Sequence, residues 1–230
     1  DGTVDWTYSV DASPIALAVD ADADRLAVGY NRCVGDHDHG LVVLDAASGD
    51  PAWMWDPGTA GDRRVGDVSF DGDRLAVASH GDKRGYLLEA GGRQQWRVDL
   101  AVPAEVGDET LYAYPNHVHA HDGRIAFLTG NTYPEEGREA EGRHPNDHRL
   151  VAVDGDGSKL WDADLGGFVH GVATDGDRLA VPCAQNFRVR DAATHALRLF
   201  DLTAGETESQ SIDGIATAAA VDGDSVAAVE

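Results

Sequence analysis

"DGDRLAV", Asp71–Val77, sets the reading of the whole chain. The same unit stands at Asp22–Val28 as "DADRLAV" and at Asp122–Phe127 as "DGRIAF". It returns at Asp175–Val181 as "DGDRLAV" and at Asp222–Val229 as "DGDSVAAV". The first large apolar residues of the five copies are Leu26, Leu75, Ile125, Leu179 and Val226, giving spacings of 49, 50, 54 and 47 residues. A period near fifty is too long for most helical repeats and fits a unit of four strands.

The residues after each copy complete the unit. "LVVLDAASGDPAWMW" carries an apolar run at Leu41–Leu44, a Ser48-Gly49 turn, then Trp53 and Trp55. "GYLLEAGGRQQW" carries Tyr86–Leu88, Gly91-Gly92 and Trp96, and "HRLVAVDGDGSKLW" carries Leu150–Val153, Asp156-Gly157 and Trp161. "LRLFDLTAGETESQS" keeps the run and the turn, with Ser209 where tryptophan is expected. Asp-Gly and Gly-Gly supply the positive φ of tight hairpins, and the short, turn-bounded apolar runs read as strands. No segment shows a capped helical period. Each unit is therefore strand A, Asp-Gly turn, strand B, loop, strand C, Gly turn and strand D, and stacked sheets that bury both faces explain why B and C are almost continuously apolar. The expected fold is all-β, a β-propeller of four-stranded antiparallel blades. The blades are placed at about 12–57, 62–100, 113–165 and 168–212, with partial blades at 1–10 and 213–230, about 4.5 in all. "DGTVDW" (Asp1–Trp6) aligns with "DGSKLW" (Asp156–Trp161), so the chain opens in a C–D turn, and it closes after a B strand. The expectation is part of a larger ring of about six to eight blades.

The 230 residues carry a net charge of −23, with Lys83 and Lys159 the only lysines. Such a charge self-repels in dilute buffer and is screened in concentrated salt, the signature of a halophilic protein. It disfavours nucleic acid and anionic membranes as partners. No apolar run is long enough to span a bilayer. Cys33 and Cys183 are too few for a disulfide scaffold. The expected location is the cell envelope or outside the cell, with the cytoplasm of a salt-accumulating organism as the alternative.

The repeat resembles the PQQ-like repeat, in which a short β strand precedes "L-x-A-L-D-A-x-T-G-x-x-x-W". Leu44, Asp45, Ala46, Ser48, Gly49 and Trp53 carry the resemblance. WD40 repeats are a weaker match: "LWDAD" at Leu160–Asp164 has the dipeptide without the Gly-His element. The resemblance implies a propeller and leaves two branches open: non-enzymatic outer-membrane assembly propellers and quinone-dependent dehydrogenases. The latter hold the quinone between a tryptophan floor and a disulfide of sequence-adjacent cysteines, beside calcium. Cys33 and Cys183 lie 150 residues apart, so PQQ is not expected as a cofactor. The chain reads as a non-catalytic scaffold presenting one loop face to a protein or extended ligand; the alternative is a metal enzyme or quinoprotein fragment with its site at the channel mouth.

Candidate ligand groups concentrate in the D–A and B–C loops. "NHVHAHDGRIAF" (Asn116–Phe127) places His117, His119 and His121 at alternate positions. His170 precedes its Asp-Gly turn by the same five residues as His117, which predicts equivalent strand-A positions beside the channel mouth. His80 ends strand B of its blade. The B–C loops carry Asn31, Cys33, His37, Asp38 and His39 in one blade and Cys183, Gln185 and Asn186 in another. The loop from Asn131 to His148 adds Tyr133, Glu135, Glu136 and His144. The metal candidates are His80, His117 and His170, whose nitrogens must then lie about 2.0–2.1 Å from a shared zinc. The favoured reading makes them polar channel lining, too widely spaced to converge. Asp20, Asp22 and Asp24, and the run Asp154–Ser158, fall on hairpin turns and lack the complete calcium-loop pattern. The His-rich tract Gly35–Gly40 is a weak metal signal.

Overall fold

The computed structural model describes residues 2–20, 22–33, 39–58, 63–186, 188 and 190–230, with residues 32 and 33 described by their backbone. His37 and Asp38, and the side chain of Cys33, lie outside the described residues.

Four antiparallel sheets of four strands repeat along the chain. The first is β1 (Ala12–Asp20), β2 (Arg25–Cys33), β3 (Leu41–Asp45) and β4 (Pro51–Trp55). The second is β5 (Val65–Asp71), β6 (Arg74–Ser79), β7 (Arg84–Leu88) and β8 (Gln94–Asp99). A short pair, β9 (Ala104–Val106) and β10 (Glu109–Tyr112), precedes the third sheet. That sheet is β11 (Pro115–His121), β12 (Arg124–Thr129), β14 (Arg149–Asp154) and β15 (Lys159–Asp164), with β13 (Tyr133–Pro134) in the loop between β12 and β14. The fourth is β16 (Ala173–Asp175), β17 (Arg178–Cys183), β18 (Ala196–Asp201) and β19 (Gly205–Ser211), and a hairpin of β20 (Ala218–Asp222) and β21 (Ser225–Val229) comes after it. Among the described residues the one helix is a 3-10 turn at Ala192–Thr194, and no helix is long and apolar enough to cross a membrane.

The continuous apolar B strands work as the pattern demands. In β12, Ile125 and Phe127 pack with Ala76, Ala78 and Leu87 of the second blade. Ala126 and Leu128 point the other way and pack with Leu179, Val181 and Phe200 of the fourth. Successive side chains alternate between faces, so a strand buried on both must be apolar throughout. Phe127 fills the space above Gly85, where a Cβ would lie 2.6 Å from the ring.

Two further joints hold the blades together. The tryptophans of the repeat lie on the C–D turn of the following blade: Trp6 on Gly49, Trp53 on Gly92, Trp96 on Gly157 and Trp161 on Gly205. The indole N–H of Trp6 donates to Ala46 O (2.9 Å), that of Trp96 to Gly155 O (2.8 Å) and that of Trp161 to Leu202 O (2.9 Å). The repeated arginines and aspartates tie one A–B turn to the next. Arg25 donates to Gly72 O (2.9 Å) and Asp73 O (3.1 Å), Asp71 accepts from Gly123 N (3.2 Å) and Asp175 from Gly223 N (2.8 Å). In the third blade His121 replaces that aspartate, and His119 carries the tie instead through Nε2 to Gly176 O (2.7 Å).

Candidate functional site

His119 is thus an inter-blade joint. Burial holds its pKa below the usual 6.5, partly offset by the hydrogen bond to Gly176. His121, at the turn, is exposed. His117 faces a small cavity of about 190 Å³ between blades, shared with His119, Asp67, Ser69 and Thr174. Its Nε2 is 3.4 Å from Val169 O and its Nδ1 is 3.8 Å from the Asp67 carboxylate.

The expected equivalence of His117 and His170 needs correction. Asp71 pairs with Arg74, His121 with Arg124 and Asp175 with Arg178, so the residues level with one another are Asp71, His121 and Asp175. "DGRIAF" is one residue shorter at the turn than "DGDRLAV". Val169 bridges Cys183 as Pro115 pairs with Thr129, which makes Asn116, not His117, the counterpart of His170. In the third blade that position is the extra residue of a bulge between Pro115 and His117. His170 stands outside β16, exposed, edge-on to Phe168 at 4.6 Å. His80 pairs through Nε2 with Asn116 Oδ1 at 3.2 Å. Among the described residues no group of three His, Cys, Asp or Glu side chains is arranged to hold a metal ion.

The B–C loop candidates also move. Asn31 and Cys33 belong to β2, which runs further than the loop reading allowed. Cys183 shares the parity of Leu179 and Val181, so it is buried in the core between the third and fourth blades. Burial pushes its thiol pKa up to about 12. Asn186 is buried and structural: its Nδ2 donates to Asp147 (3.3 Å) and its Oδ1 accepts from Arg188 N (2.8 Å). Gln185 is half-buried, and His39 lies 3.7 Å from the Asp56 carboxylate.

The structure instead assembles a tyrosine cluster between the second and third blades. The sheet order β13-β10-β9 forms a small platform on the loop face, and Tyr112 lies directly opposite Tyr133 in its register. Their rings stack at 5.8 Å, while Tyr114 meets Tyr112 edge-on at 5.4 Å and Tyr133 at 5.4 Å. Tyr114 also lies 5.0 Å from the His80 ring. Arg64 donates to the Tyr114 hydroxyl (3.2 Å) and sits 5.2 Å from the ring centre. Lys83 places its ammonium 4.9 Å from Tyr112 and 5.5 Å from Tyr114, within cation–π range.

The platform is pinned from below. His144 is buried and its Nε2 pairs with Val102 O (2.9 Å), and Glu135 N donates to Thr110 O (2.9 Å). The Glu109 carboxylate accepts from Gly142 N (2.8 Å) and Glu141 N (3.0 Å), which lowers its pKa. His144 is therefore a staple of the long loop, and burial holds its pKa below 6.5. A cavity of about 670 Å³ has Arg64, Lys83, Tyr112, Tyr114, Glu135 and Glu136 in its walls. A second, of about 490 Å³, is lined by Tyr133, Pro134, Arg138, Glu139 and Arg188. Burial raises both phenols, and that of Tyr112 reaches about 12. At Tyr114 burial is outweighed by its hydrogen bonds with Tyr112 and Arg64 and by the charges of Arg64 and Lys83, so its pKa falls below 10.

No family model and no curated protein sequence matches this chain. Solved structures do. A chain of the nidogen/laminin complex is 13% identical, covering 96% of this chain and 73% of its own, at a TM-score of 0.59. The WD40 domain of Pan2 from Neurospora crassa is 11% identical, covering 91% and 69%, at 0.55. The computationally designed Ika4 protein is 12% identical, covering 84% and 93%, at 0.52. The fold is a β-propeller. At these identities the likeness establishes architecture alone, and function has to be argued from the loop face.

Proposed function

We propose that this propeller is a non-catalytic binding module that presents its loop face, centred on β13, to a protein or extended ligand. The observation that carries the reading is the Tyr112–Tyr114–Tyr133 cluster with Arg64 and Lys83, whose members line two cavities. Tyrosine and arginine dominate binding hot spots because they supply large contact area with few rotors and a polar tip. Two cavities lined by one aromatic cluster suit an extended ligand. Tyr133 is 41% exposed, available to such a ligand. The role needs neither a divalent metal nor a quinone. In support, His80 is turned to Asn116, His117 to Val169 O and His119 to Gly176 O.

The test is photo-crosslinking in the native host, with a photoreactive residue at Tyr133 and, as control, at Asp177 on the A–B turns. A discrete adduct from Tyr133 alone is expected. Adducts from Asp177 alone, or the same adducts from both, refute the reading.

A further inference from the structure

If the loop face is a binding surface, its charged groups specify a ligand chemistry. In a chain of net charge −23, the cavity of about 670 Å³ gathers Arg64, Lys83 and Arg84 in its walls, balanced by Asp82, Glu135 and Glu136. Arg84 is engaged by Asp99 (2.6 Å) and Asp82 (3.4 Å). Lys83, one of two lysines in the chain, occupies the turn between β6 and β7 at φ 62, the left-handed region in which a lysine is disfavoured. Its carbonyl accepts from Leu100 N (3.3 Å) and Ala101 N (2.9 Å), which fixes the backbone, and its ammonium donates to Gly81 O (2.9 Å) while lying over the two tyrosine rings. A lysine where glycine would be relaxed makes its side chain a candidate for a functional role.

We propose, on the basis of that binding role, that this cavity takes a carboxylate of a peptide ligand, held between the Lys83 ammonium, the Arg64 guanidinium and the Tyr114 hydroxyl. The ligand's body packs against Tyr112 and the Val102–Pro103 wall. Glu135 and Glu136, which line the same cavity, select a basic group next to that carboxylate, so the preferred peptide carries both signs of charge. A peptide supplies such alternation along an extended chain. Arg64, bonded to the Tyr114 hydroxyl, and Lys83, over the Tyr114 ring, supply the positive charge such a carboxylate would meet.

The experiment uses capped peptides and titration calorimetry on the whole chain. One pair is acetyl-Lys-Phe-Ala-Glu-Ala-amide and its Gln counterpart; the other is acetyl-Lys-Phe-Ala with a free or an amidated C-terminus. The first pair reads a side-chain carboxylate and the second a terminal one. Saturable binding of at least one carboxylate peptide is expected, about tenfold or more tighter than its neutral counterpart. Lys83→Gly should abolish that preference while leaving the melting temperature unchanged or raised, because φ 62 suits glycine. Binding should also raise the pH at which tyrosinate absorbance appears, and Tyr114→Phe should remove that shift. Equal binding within both pairs, no saturable binding of either carboxylate peptide, or a preference surviving Lys83→Gly would overturn the proposal. If the peptides fail while the Tyr133 crosslink persists, only the carboxylate assignment falls.

Discussion

The joint between each tryptophan and the next blade's glycine permits a graded test. The four glycines share a left-handed backbone: Gly49 at φ 77, Gly92 at 81, Gly157 at 82 and Gly205 at 85. An alanine at any of them therefore carries a similar conformational cost of about 1–2 kcal/mol. The steric cost differs. A Cβ would lie 2.5 Å from the Trp6 ring at Gly49, 2.7 Å from Trp53 at Gly92, 3.0 Å from Trp96 at Gly157 and 3.6 Å from Trp161 at Gly205. Only the last is ordinary contact, so Gly205→Ala should cost about 1–2 kcal/mol. Gly92→Ala must also displace an indole gripped between two blades, adding about 1–3 kcal/mol of overpacking. Gly157→Ala should fall between them. Gly49→Ala should cost less than its contact suggests, because Trp6 lies outside any strand and no sheet ladder fixes its backbone. Equilibrium urea denaturation reads the series, and the double variant Gly92→Ala with Trp53→Leu should recover the steric part alone. Equal losses at Gly92 and Gly205, or no recovery in the double variant, would refute the joint as the source of the cost.

Charge and burial set four further outcomes. With a net charge of −23, the melting temperature should rise with NaCl into the molar range, and a melting temperature flat from low to high salt would contradict self-repulsion as a major term. Burial holds His119, His144 and His148 below 6.5 in the folded state, so the unfolded chain takes up those protons first. Stability should then be level above about pH 6.5 and fall below it, by up to about 1.4 kcal/mol per pH unit for each histidine; His119→Asn should flatten the slope measured by denaturation between pH 7 and 5. A separate acid loss should begin below the usual carboxylate pKa of 3.8, where Asp162 loses the Lys159 and Arg149 contacts, and Asp20 the Arg25 contact, that lower theirs. Cys183, with its thiol pKa pushed up to about 12 by burial, should resist a thiol reagent until the fourth blade unfolds, and rapid labelling of this residue in the native protein would show the core between the blades to be open.

The repeat was legible because its physics is local. Asp-Gly turns and doubly buried strands leave a periodic mark, and the chain builds four-stranded antiparallel sheets from them. The tyrosine site was legible only in part, because it belongs to no repeat. Tyr133, Glu135 and Glu136 stood out in a long loop, but Tyr112 and Tyr114 come from a connector that the other blades lack. One signal could have found them: Gly107-Asp108 between Val106 and Glu109 makes a hairpin turn, and Tyr112 and Tyr114 come after it at a spacing of two. The inter-blade use of the tryptophans was out of reach of strand periodicity, which describes a residue's own sheet and not the turn its ring covers.

The histidines show how little separates a shared motif from a shared site. Counting back from Asp-Gly pairs His117 with His170, whereas the ladder pairs His170 with Asn116, and a slip of one residue exchanges the two faces of a strand. The arginine after the turn is the safer anchor: Arg74, Arg124 and Arg178 all pair with the last residue of strand A. Counted from there, His117 aligns with Asp67 and His119 with Ser69, since their partners Leu128 and Ala126 match Ala78 and Ala76. Asp67 accepts from Val118 N (3.0 Å) and Ser69 from Ala120 N (3.0 Å), each reaching from the second blade to the third. His119 makes the corresponding reach from the third blade to the fourth, with its ring joined to Gly176 O (2.7 Å). The alternating histidines thus occupy the positions at which this propeller sews its inner strands together, which is why their alternation follows the strand and their nitrogens face the backbone of the next blade.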